Sequence, residues 1–358
     1  MICIDVRMIH SSGIGTYLQG LLNGLRDRVP AGYSFSLLGD SRKVPQGPWS
    51  IHNVSSPIYS IREQFEIPWA AKRQKASLFH ATHYNMPYLM AEHTVVTVYD
   101  LIHLKFPEYW PSKVAQGYAY LLFHHVVTKA RKIITISECT KRDLMETLAI
   151  PEDQIVVTYP AVSHERFEHL DPATQPDFEK LGLPQNYLLY VGNLKEFKNV
   201  QRLVKAYRLL QARRKDCPML VLAGKNFIPG FERELLSNPG IRWIGAISDN
   251  ILPRLYKEAL LFLFPSLYEG FGLPPLEAMA SGTPVLCSNR ASLPEVVGDA
   301  AVMVDPENTE ALSAAMERVT YDAGLRKEMS AKGLRQAARF SWDTMVNQTL
   351  RVYDECLR

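Results

Sequence analysis

The sequence predicts an α/β protein made of two doubly wound domains that face each other across a cleft. The chain has 358 residues, more than one hydrophobic core usually supports. In both halves, short apolar runs with the length of buried parallel strands alternate with helical stretches. Residues 163–185 carry three prolines and many charges, which is typical of a linker. We therefore expect domains at 1–165 and 166–341, with a last helix within 342–358.

The sequence of the first half of the chain predicts six strands and four helices. The strands are expected at 2–6, 34–38, 78–80, 94–99, 133–136 and 155–157. The helices are expected at 15–28, at 60–75, at 112–130 and over a stretch that ends at 148. Ser137 is placed to cap the last of these helices, because a serine before a helix can accept a hydrogen bond from a free N–H group.

The second half repeats the alternation. Strands are expected at 187–191, 219–223, 241–244, 260–264 and 284–287. Helices are expected at 200–214, after Ser248 or Asp249, and at 276–281, 307–320, 325–339 and 342–357. Asn199 and Ser341 stand at the predicted N-caps of the first and last of these helices.

Composition excludes several classes of protein. Hydrophobic residues make up 47% of the chain and charged residues 22%, and a net charge of +3 is too small to indicate a nucleic-acid partner. No apolar run approaches the ~18 residues that span a bilayer, and the chain opens on a strand instead of a signal peptide. The five cysteines lack metal-site spacing. These features predict a cytoplasmic protein with reduced thiols.

Three basic clusters lie at 72–75, 129–132 and 141–142. Solvated helix faces account for them. Peripheral contact with the anionic inner face of a membrane is the alternative interpretation.

The segment from Glu269 to Glu277 carries two carboxylates eight positions apart around a Gly-x-Gly turn. It follows an apolar strand and precedes a short helix, in which Pro275 suits the first position and Gly282 the left-handed end. Ligands bind at the carboxyl ends of parallel strands, where free N–H groups of helix N-termini attract anions. Gly270 and Gly272 let backbone amides approach such a ligand. A well-capped turn without a ligand is the alternative.

Further residues in register around this segment identify a family. Tyr268-Glu-Gly-Phe-Gly-Leu-Pro-Pro-Leu-Glu-Ala-Met-Ala-Ser-Gly-Thr-Pro-Val285, followed by 293–299 and 304–306, resembles the retaining nucleotide-sugar glycosyltransferases of family 4 and their Glu-x7-Glu motif. The resemblance implies a GT-B fold of two Rossmann-like domains, an acceptor-side N-terminal one and a donor-binding C-terminal one, with the final helix crossing back onto the first.

The resemblance also assigns roles within the motif. Glu277 would hold the ribose hydroxyls of the donor, and Glu269 would lie against the transferred sugar. The backbone of Gly270, Phe271, Gly272 and Leu273 would contribute to substrate binding. Ile244 would lie near the donor base.

Two further loops suit a diphosphate. Gly13 and Gly15 open a predicted helix, where glycines can cradle a phosphate, and the resemblance adds Arg7 to the same donor contact. A tight turn without a ligand is the alternative. Lys198 precedes another helix N-terminus and matches the family's diphosphate-binding lysine. Asn193 stands where many relatives have an arginine, so neutralisation of the leaving group depends more heavily on Lys198.

Asp100 and His103 follow a predicted strand and are expected to reach the cleft. Many relatives have a histidine where this chain has Tyr99, and we assign His103 as its candidate replacement, with a plain surface histidine as the alternative. His80 and His83 lack a third ligand for zinc. His83, Tyr84 and Asn85 are instead interpreted as the acceptor side of the cleft. The sequence contains no Asp-x-Asp pair, so we expect no metal and no cofactor.

The predicted function is retaining transfer of a hexose, with mannose favoured, from a nucleoside-diphosphate sugar to a hydroxyl of a lipid-linked or oligosaccharide acceptor in surface polysaccharide synthesis. Glu269, Lys198 and His103 are the candidate catalytic residues. A nucleotide-sugar epimerase and a non-catalytic sugar-nucleotide-binding protein are the two alternatives.

Overall fold

A computed structural model describes residues 1–29, 32–84, 86–106 and 113–358. The chain divides into two compact units: unit 1 comprises Met1–Ala161 with Ser341–Arg358, and unit 2 comprises Val162–Phe340. The boundary lies four residues before the predicted one. The C-terminal segment belongs to unit 1.

In the described ranges, unit 1 contains a parallel sheet of seven strands. In chain order they are β1 (Ile2–Asp5), β2 (Phe35–Gly39), β3 (Trp49–Asn53), β4 (Leu78–Ala81), β5 (Thr94–Val98), β6 (Lys132–Thr135) and β7 (Ile155–Val157). Their order across the sheet is β3-β2-β1-β4-β5-β6-β7, so the direction of winding reverses between β1 and β4. The sequence missed β3, because this edge strand is half-exposed and has no apolar run.

Five helices of unit 1 precede the second unit along the chain, and the first two start three residues away from their predicted positions. They are α1 (Ser12–Arg26), α2 (Glu63–Arg73), α3 (Ile102–Lys105), α4 (Lys113–Lys129) and α5 (Glu138–Leu148), as far as the described residues show. The predicted start of α4 at Ser112 lies outside the described residues. The capping prediction for Ser137 is confirmed, since its side chain accepts a hydrogen bond from the Thr140 N–H group.

The segment predicted as a linker, 163–185, is part of unit 2, so that prediction is wrong. It contains α6 (His164–Glu168) and α7 (Gln175–Glu179) and belongs to unit 2. Phe167 on α6 is only 2% exposed, and its ring lies 6.1 Å from that of Tyr256. Phe167, a buried aromatic residue in a segment rich in charges, therefore attaches 163–185 to unit 2.

Unit 2 contains a parallel sheet of six strands. They are β8 (Tyr187–Val191), β9 (Leu220–Ala223), β10 (Ile241–Gly245), β11 (Ala259–Phe264), β12 (Val285–Ser288) and β13 (Val302–Val304). The order is β10-β9-β8-β11-β12-β13, so the winding reverses between β8 and β11. Both central strands are almost wholly buried, which explains their continuous apolar sequences.

The remaining helices complete unit 2 and then return to unit 1. They are α8 (Val200–Arg213), α9 (Phe231–Leu236), α10 (Leu252–Lys257), α11 (Leu273–Ala280), α12 (Leu293–Val297), α13 (Thr309–Tyr321), α14 (Ala323–Ala337) and α15 (Trp342–Leu357). The sequence did not predict the short elements α9, α12 and β13. Pro275 was predicted at the first position of α11, but the helix begins two residues earlier, at Leu273, so Pro275 is its third residue. Gly282 has the predicted left-handed φ of +74°.

Helix α15 packs on α1 because two glycines of α1 leave room for it. A Cβ atom on Gly20 would lie 2.3 Å from the Trp342 ring, and one on Gly24 would lie 2.5 Å from Val346. Ser341 stands at the N-cap but makes no side-chain capping bond.

Among the described residues, no helix is both long enough and apolar enough to cross a membrane.

Candidate active site

Two loops of unit 2 bring a cation and a carboxylate into contact at the carboxyl edge of the sheet. Lys198 ends the short turn Glu196–Lys198 after β8, and Glu269 follows β11. The Lys198 ammonium donates to both carboxylate oxygens of Glu269, at 2.6 and 2.7 Å. The two side chains are 19% and 12% exposed. This is the point of strand-order reversal, where open α/β sheets bind their ligands.

Asn199 holds the loop that carries Lys198. Its side-chain amide donates to the carbonyl oxygens of Pro265, at 3.1 Å, and Pro306, at 2.7 Å. The sequence predicted Asn199 as a helix N-cap, but the side chain makes no capping bond, and its oxygen accepts a hydrogen bond from the Arg202 guanidinium at 3.0 Å instead. Asn199 has a φ of +59°, in the left-handed region that asparagine tolerates better than most residues. Its side chain therefore ties the loop after β8 to the end of β11.

Ser292 holds the loop that carries Glu269. Its hydroxyl oxygen lies 2.9 Å from the carbonyl oxygen of Glu269 and 2.6 Å from that of Phe271. Ser292 is fully buried, and its single proton is shared between the two carbonyl groups. This contact fixes the backbone on both sides of Gly270.

The predicted ligand-binding backbone at 270–273 forms the turn into α11. Phe271 is 3% exposed and its ring packs edge-on against Phe340 at 5.5 Å, so its side chain belongs to the core. Gly272 has a φ of +120°, and a Cβ atom there would lie 2.8 Å from the Leu293 side chain. The Phe271 side chain is therefore not available to a ligand, and the contact of this backbone with a ligand stays a prediction.

Two aromatic rings lie beside the Lys198 ammonium. It lies 5.3 Å from the ring centroid of Phe197 and 5.5 Å from that of Phe264. Rings stabilise a cation without neutralising it, so these rings leave the ammonium able to bind an anion that competes with Glu269. Because the site is partly shielded from water, that attraction is stronger than at an open surface.

Glu277, the second carboxylate of the motif, lies on α11 with its own partner. The Tyr256 hydroxyl donates to its Oε2 at 2.9 Å. Burial raises the pKa of Glu277 to about 7, and the Tyr256 hydrogen bond and the nearby charge of Arg166 oppose this rise. Its protonation therefore changes near neutral pH.

Two further predicted donor contacts of unit 2 are Asn193, in the loop after β8, and Ile244. The side-chain oxygen of Asn193 accepts a hydrogen bond from the Lys225 N–H group at 3.4 Å. Gly224 has a φ of +141°, and a Cβ atom there would lie 1.9 Å from the carbonyl oxygen of Gly192, so these loops require glycine at this position. Ile244 is half-buried on β10. The donor contacts of Asn193 and Ile244 stay predictions.

The helix predicted after Ser248 or Asp249 begins at Leu252, with Ile251 at the N-cap position. The capping prediction is therefore wrong. A proline at the second residue of the helix fits a start here, because the first turn needs no N–H donor at that position.

Arg7 lies in unit 1 within a buried ionic network. Its guanidinium donates to Asp5 at 2.7 Å, to Glu63 at 3.0 Å and to the carbonyl oxygen of Ser56 at 3.2 Å. These contacts connect β1 to α2. The predicted contact of Arg7 with a diphosphate stays a prediction, and its guanidinium already has three internal acceptors.

Gly13 and Gly15 lie in the first turn of α1 and not in a loop before it, because the helix begins at Ser12. A Cβ atom on Gly15 would lie 2.6 Å from the carbonyl oxygen of Ile9, so packing explains this glycine. Gly13 is exposed, and the side chain of Ser11 makes no capping bond. The helix start remains suited to an anion, and its role stays a prediction.

Asp100 and His103 lie at the start of α3 in unit 1. The Asp100 carboxylate accepts a hydrogen bond from the Ile102 N–H group at 2.9 Å, and His103 is exposed. Burial and the charges of His103 and Arg7 lower the pKa of His83 to about 3. His83 packs on Tyr84 with ring centroids 4.1 Å apart. Asn85, predicted beside them, lies outside the described residues, and the roles of Asp100 and His103 stay predictions.

His80 has a structural role. Its two ring nitrogens lie 2.6 Å from the Tyr353 hydroxyl and 2.8 Å from the Thr97 hydroxyl. Tyr353 lies on α15, so this hydrogen bond attaches the C-terminal helix to the sheet. In the described ranges, no group of three or more histidine, cysteine, aspartate or glutamate side chains could hold a metal ion.

The fold and these loops define a glycosyltransferase of the GT-B class. Residues 11–166 match the family model described as Glycosyltransferase Family 4, and residues 173–336 match that of the glycosyl transferases group 1. A sucrose-phosphate synthase from Thermosynechococcus elongatus has the same fold, with a TM-score of 0.77 at 19% identity over 99% of this chain and 98% of that one.

Sequence relatives identify the family. The chain is 35% identical to the O-antigen chain mannosyltransferase B of Escherichia coli, over 80% of this chain and 76% of that protein. It is 33% identical to the serotype-specific mannosyltransferase WbdA of Escherichia coli over 70% of this chain. The matched region covers only 32% of that longer relative. The protein therefore belongs to the glycosyltransferases and is an enzyme of that family. The epimerase and non-catalytic alternatives have no support from these comparisons.

Sequence reasoning missed the residues that position the ion pair. Ser292 is 23 positions from Glu269, and no local pattern connects them. Tyr256 was missed for the same reason, being 21 positions from Glu277. Asn199 was noticed, but only as a helix cap.

Proposed function

We propose that this enzyme transfers a hexose from a nucleoside-diphosphate sugar to a hydroxyl group of a lipid-linked or oligosaccharide acceptor during surface polysaccharide synthesis. Mannose is the favoured hexose. Transfer proceeds with retention at the anomeric carbon. The relatives named as mannosyltransferases support the choice of sugar, and the one named for the O-antigen chain supports the choice of acceptor.

The observation that carries the proposal is the contact between Lys198 and Glu269 at the carboxyl edge of the unit 2 sheet. Cleavage of the donor's glycosidic bond develops negative charge on the diphosphate and positive charge on the sugar ring. The Lys198 ammonium stabilises the first, and the Glu269 carboxylate stabilises and orients the second. The ammonium and the carboxylate lie 2.6 Å apart, so both can act on the two ends of the glycosidic bond as it breaks.

Glu277 serves donor binding. A carboxylate accepts hydrogen bonds from both hydroxyls of a ribose, and the Tyr256 hydroxyl orients one of its oxygens. Burial raises the pKa of Glu277 to about 7, which favours the protonated form near neutral pH. A ribose that donates two hydrogen bonds to this carboxylate favours the ionised form. Donor binding and ionisation of Glu277 are therefore coupled.

The test is an assay with radiolabelled GDP-mannose, UDP-glucose and UDP-galactose, each supplied with a cell-envelope lipid extract. The proposal expects label from GDP-mannose in the lipid or glycan fraction, and an α-anomer in the product by proton NMR. Label that appears only in an isomerised nucleotide sugar would favour an epimerase. Saturable binding of donor without transfer or isomerisation would favour a non-catalytic binding protein.

A further inference from the structure

A row of large apolar side chains is exposed along α2 in unit 1. Ile61, Phe65 and Trp69 are 78%, 72% and 61% exposed. Their spacing of four residues places them along one side of the helix and the turn before it. Single exposed apolar residues are normal, but three large ones in a row indicate an interaction surface.

The opposite side of α2 already packs against the core of unit 1. Ile67, Ala70 and Ala71 are buried there, at 0%, 6% and 2% exposure. The exposed row is therefore an additional apolar side of the helix. We name this row, together with the cations that follow it, the α2 face.

The cations of the α2 face lie at the C-terminal end of the helix. Lys72, Arg73 and Lys75 are all exposed. The Arg73 guanidinium lies 5.1 Å from the centre of the Trp69 ring, so cation and aromatic side chain share one surface. Such a pairing of tryptophan with basic residues suits the headgroup level of a bilayer.

The acidic residues of α2 are engaged elsewhere. Glu63 is 1% exposed and pairs with Arg7. Glu66 accepts hydrogen bonds from the backbone N–H groups of Ser55 and Ser56, both at 2.9 Å. The charge presented beside the apolar row is therefore mainly positive.

The apolar surface continues from α2 through Tyr88. The side chain of Gln64 on α2 accepts a hydrogen bond from the Tyr88 N–H group at 2.9 Å, and the ring of His125 on α4 stacks on Tyr88 at 3.5 Å. Leu121, one helical turn before His125, is 69% exposed, and Tyr88 is 52% exposed. Apolar side chains from α2, α4 and the segment between them thus neighbour one another.

We propose that the α2 face docks on an anionic lipid bilayer, with Phe65 and Trp69 inserted at the headgroup boundary and Lys72 and Arg73 on the lipid phosphates. Charge complementarity selects this occupant, because a purely apolar partner would leave these cations without counter-charges. The inference depends on this surface alone and does not require the proposed acceptor or sugar.

The test is flotation of the full chain with vesicles of phosphatidylcholine alone or with 30 mol% phosphatidylglycerol. We expect binding to the anionic vesicles that weakens as salt increases. Lys72→Glu with Arg73→Glu should lower the partition coefficient on anionic vesicles about tenfold or more. Phe65→Ser with Trp69→Ser should lower it to a similar extent, because the inserted apolar area is lost.

Matched controls lie in unit 2. Leu236 is 78% exposed on α9, so Leu236→Ser removes an exposed apolar side chain away from the α2 face. Lys205→Glu with Lys215→Glu makes the same charge change on exposed positions in and after α8. Both control proteins should float like the parent chain. No flotation of the parent, or equal losses in controls and test variants, would overturn the proposal.

Two further measurements distinguish lipid from protein as the occupant. Brominated phosphatidylcholine in the anionic vesicles should quench tryptophan fluorescence of the parent chain, and Trp69→Phe should remove most of that quenching. Sedimentation analysis of the Phe65→Ser, Trp69→Ser protein should match that of the parent. Quenching that persists without Trp69, or a parent dimer that this variant converts to a monomer, would contradict membrane docking.

Discussion

The Lys198 ammonium donates to both oxygens of the Glu269 carboxylate, at 2.6 and 2.7 Å. This contact couples the two residues. A diphosphate that recruits the ammonium competes with the carboxylate, and a change at either residue alters the charge that the other presents. The two residues must therefore be tested separately and by different observables.

The two glutamates of the motif should divide binding from chemistry. Glu269→Gln should lower turnover by roughly 10² or more, because it removes a charge that acts in the transition state. It should leave nucleoside-diphosphate binding intact or a few-fold tighter, since Lys198 loses a competing anion. Glu277→Gln should instead raise KM more than it lowers kcat, because ribose contacts are shared by ground and transition states.

Steady-state kinetics and calorimetric titration with GDP check this division, with Glu310→Gln on the exposed start of α13 as the control. If Glu269→Gln and Glu277→Gln both changed KM and left kcat unaltered, the prediction that they separate binding from chemistry would be wrong.

The pKa of Glu277 predicts a pH dependence of stability. Burial raises this pKa from 4.5 to about 7, so the folded protein binds the proton more tightly than the unfolded chain. The stabilising contribution of that proton is fully present below about pH 4.5 and is lost as the pH rises through 7. Glu277→Gln cannot lose a proton. Its melting temperature should therefore rise relative to the parent between pH 5 and pH 8, and parallel curves would refute the assignment.

Asn199→Gly tests the connection that places Lys198. Glycine accepts the φ of +59° but lacks the amide that binds the Pro265 and Pro306 carbonyl oxygens. Loss of two buried hydrogen bonds should cost about 1–3 kcal/mol of stability. Turnover should fall roughly tenfold, because catalysis depends on the position of the ammonium.

Asn308→Ala is the control for the Asn199 variant. It removes the hydrogen bond that the Asn308 side chain accepts from the Ala311 N–H group at the N-cap of α13, which should cost about 1 kcal/mol. Its turnover should stay at the parent value. Equal turnover in the two variants would show that Asn199 contributes only to stability.

Transfer should proceed in excess EDTA. The prediction depends on the sequence, which contains no Asp-x-Asp pair to hold a metal-bound diphosphate. Activity that is lost on chelation and restored by manganese would identify a metal site and contradict this prediction.

Regular elements with continuous apolar sequences could be predicted, and those defined by long-range contacts could not. Strands such as β8 and β11 are buried on both faces, so their sequence alone marks them. The edge strand β3 is half-exposed and carries no such mark. The 163–185 segment has the composition of a linker although it belongs to unit 2, because Phe167 is its main buried aromatic side chain.

The same distinction applies to the site. The motif residues could be assigned by resemblance, because they are close together in the sequence. The ion pair joins residues 71 positions apart, and its supports at Asn199 and Ser292 depend on backbone carbonyl groups, which no sequence pattern specifies.

The turnover of Lys198→Ala tests the central claim most directly. Its ammonium contacts Glu269 and is assigned to the developing charge on the diphosphate, so its removal should cost ~3–4 kcal/mol of transition-state stabilisation, or roughly 10²–10³ in turnover. Lys195→Ala is the matched control, because Lys195 lies in the same loop with its ammonium near the rings of Phe197 and Phe227, at 5.7 and 5.4 Å. We expect the control to retain turnover within about threefold, which is ~0.7 kcal/mol. A folded Lys198→Ala protein that also stays within about threefold of the parent would contradict the account.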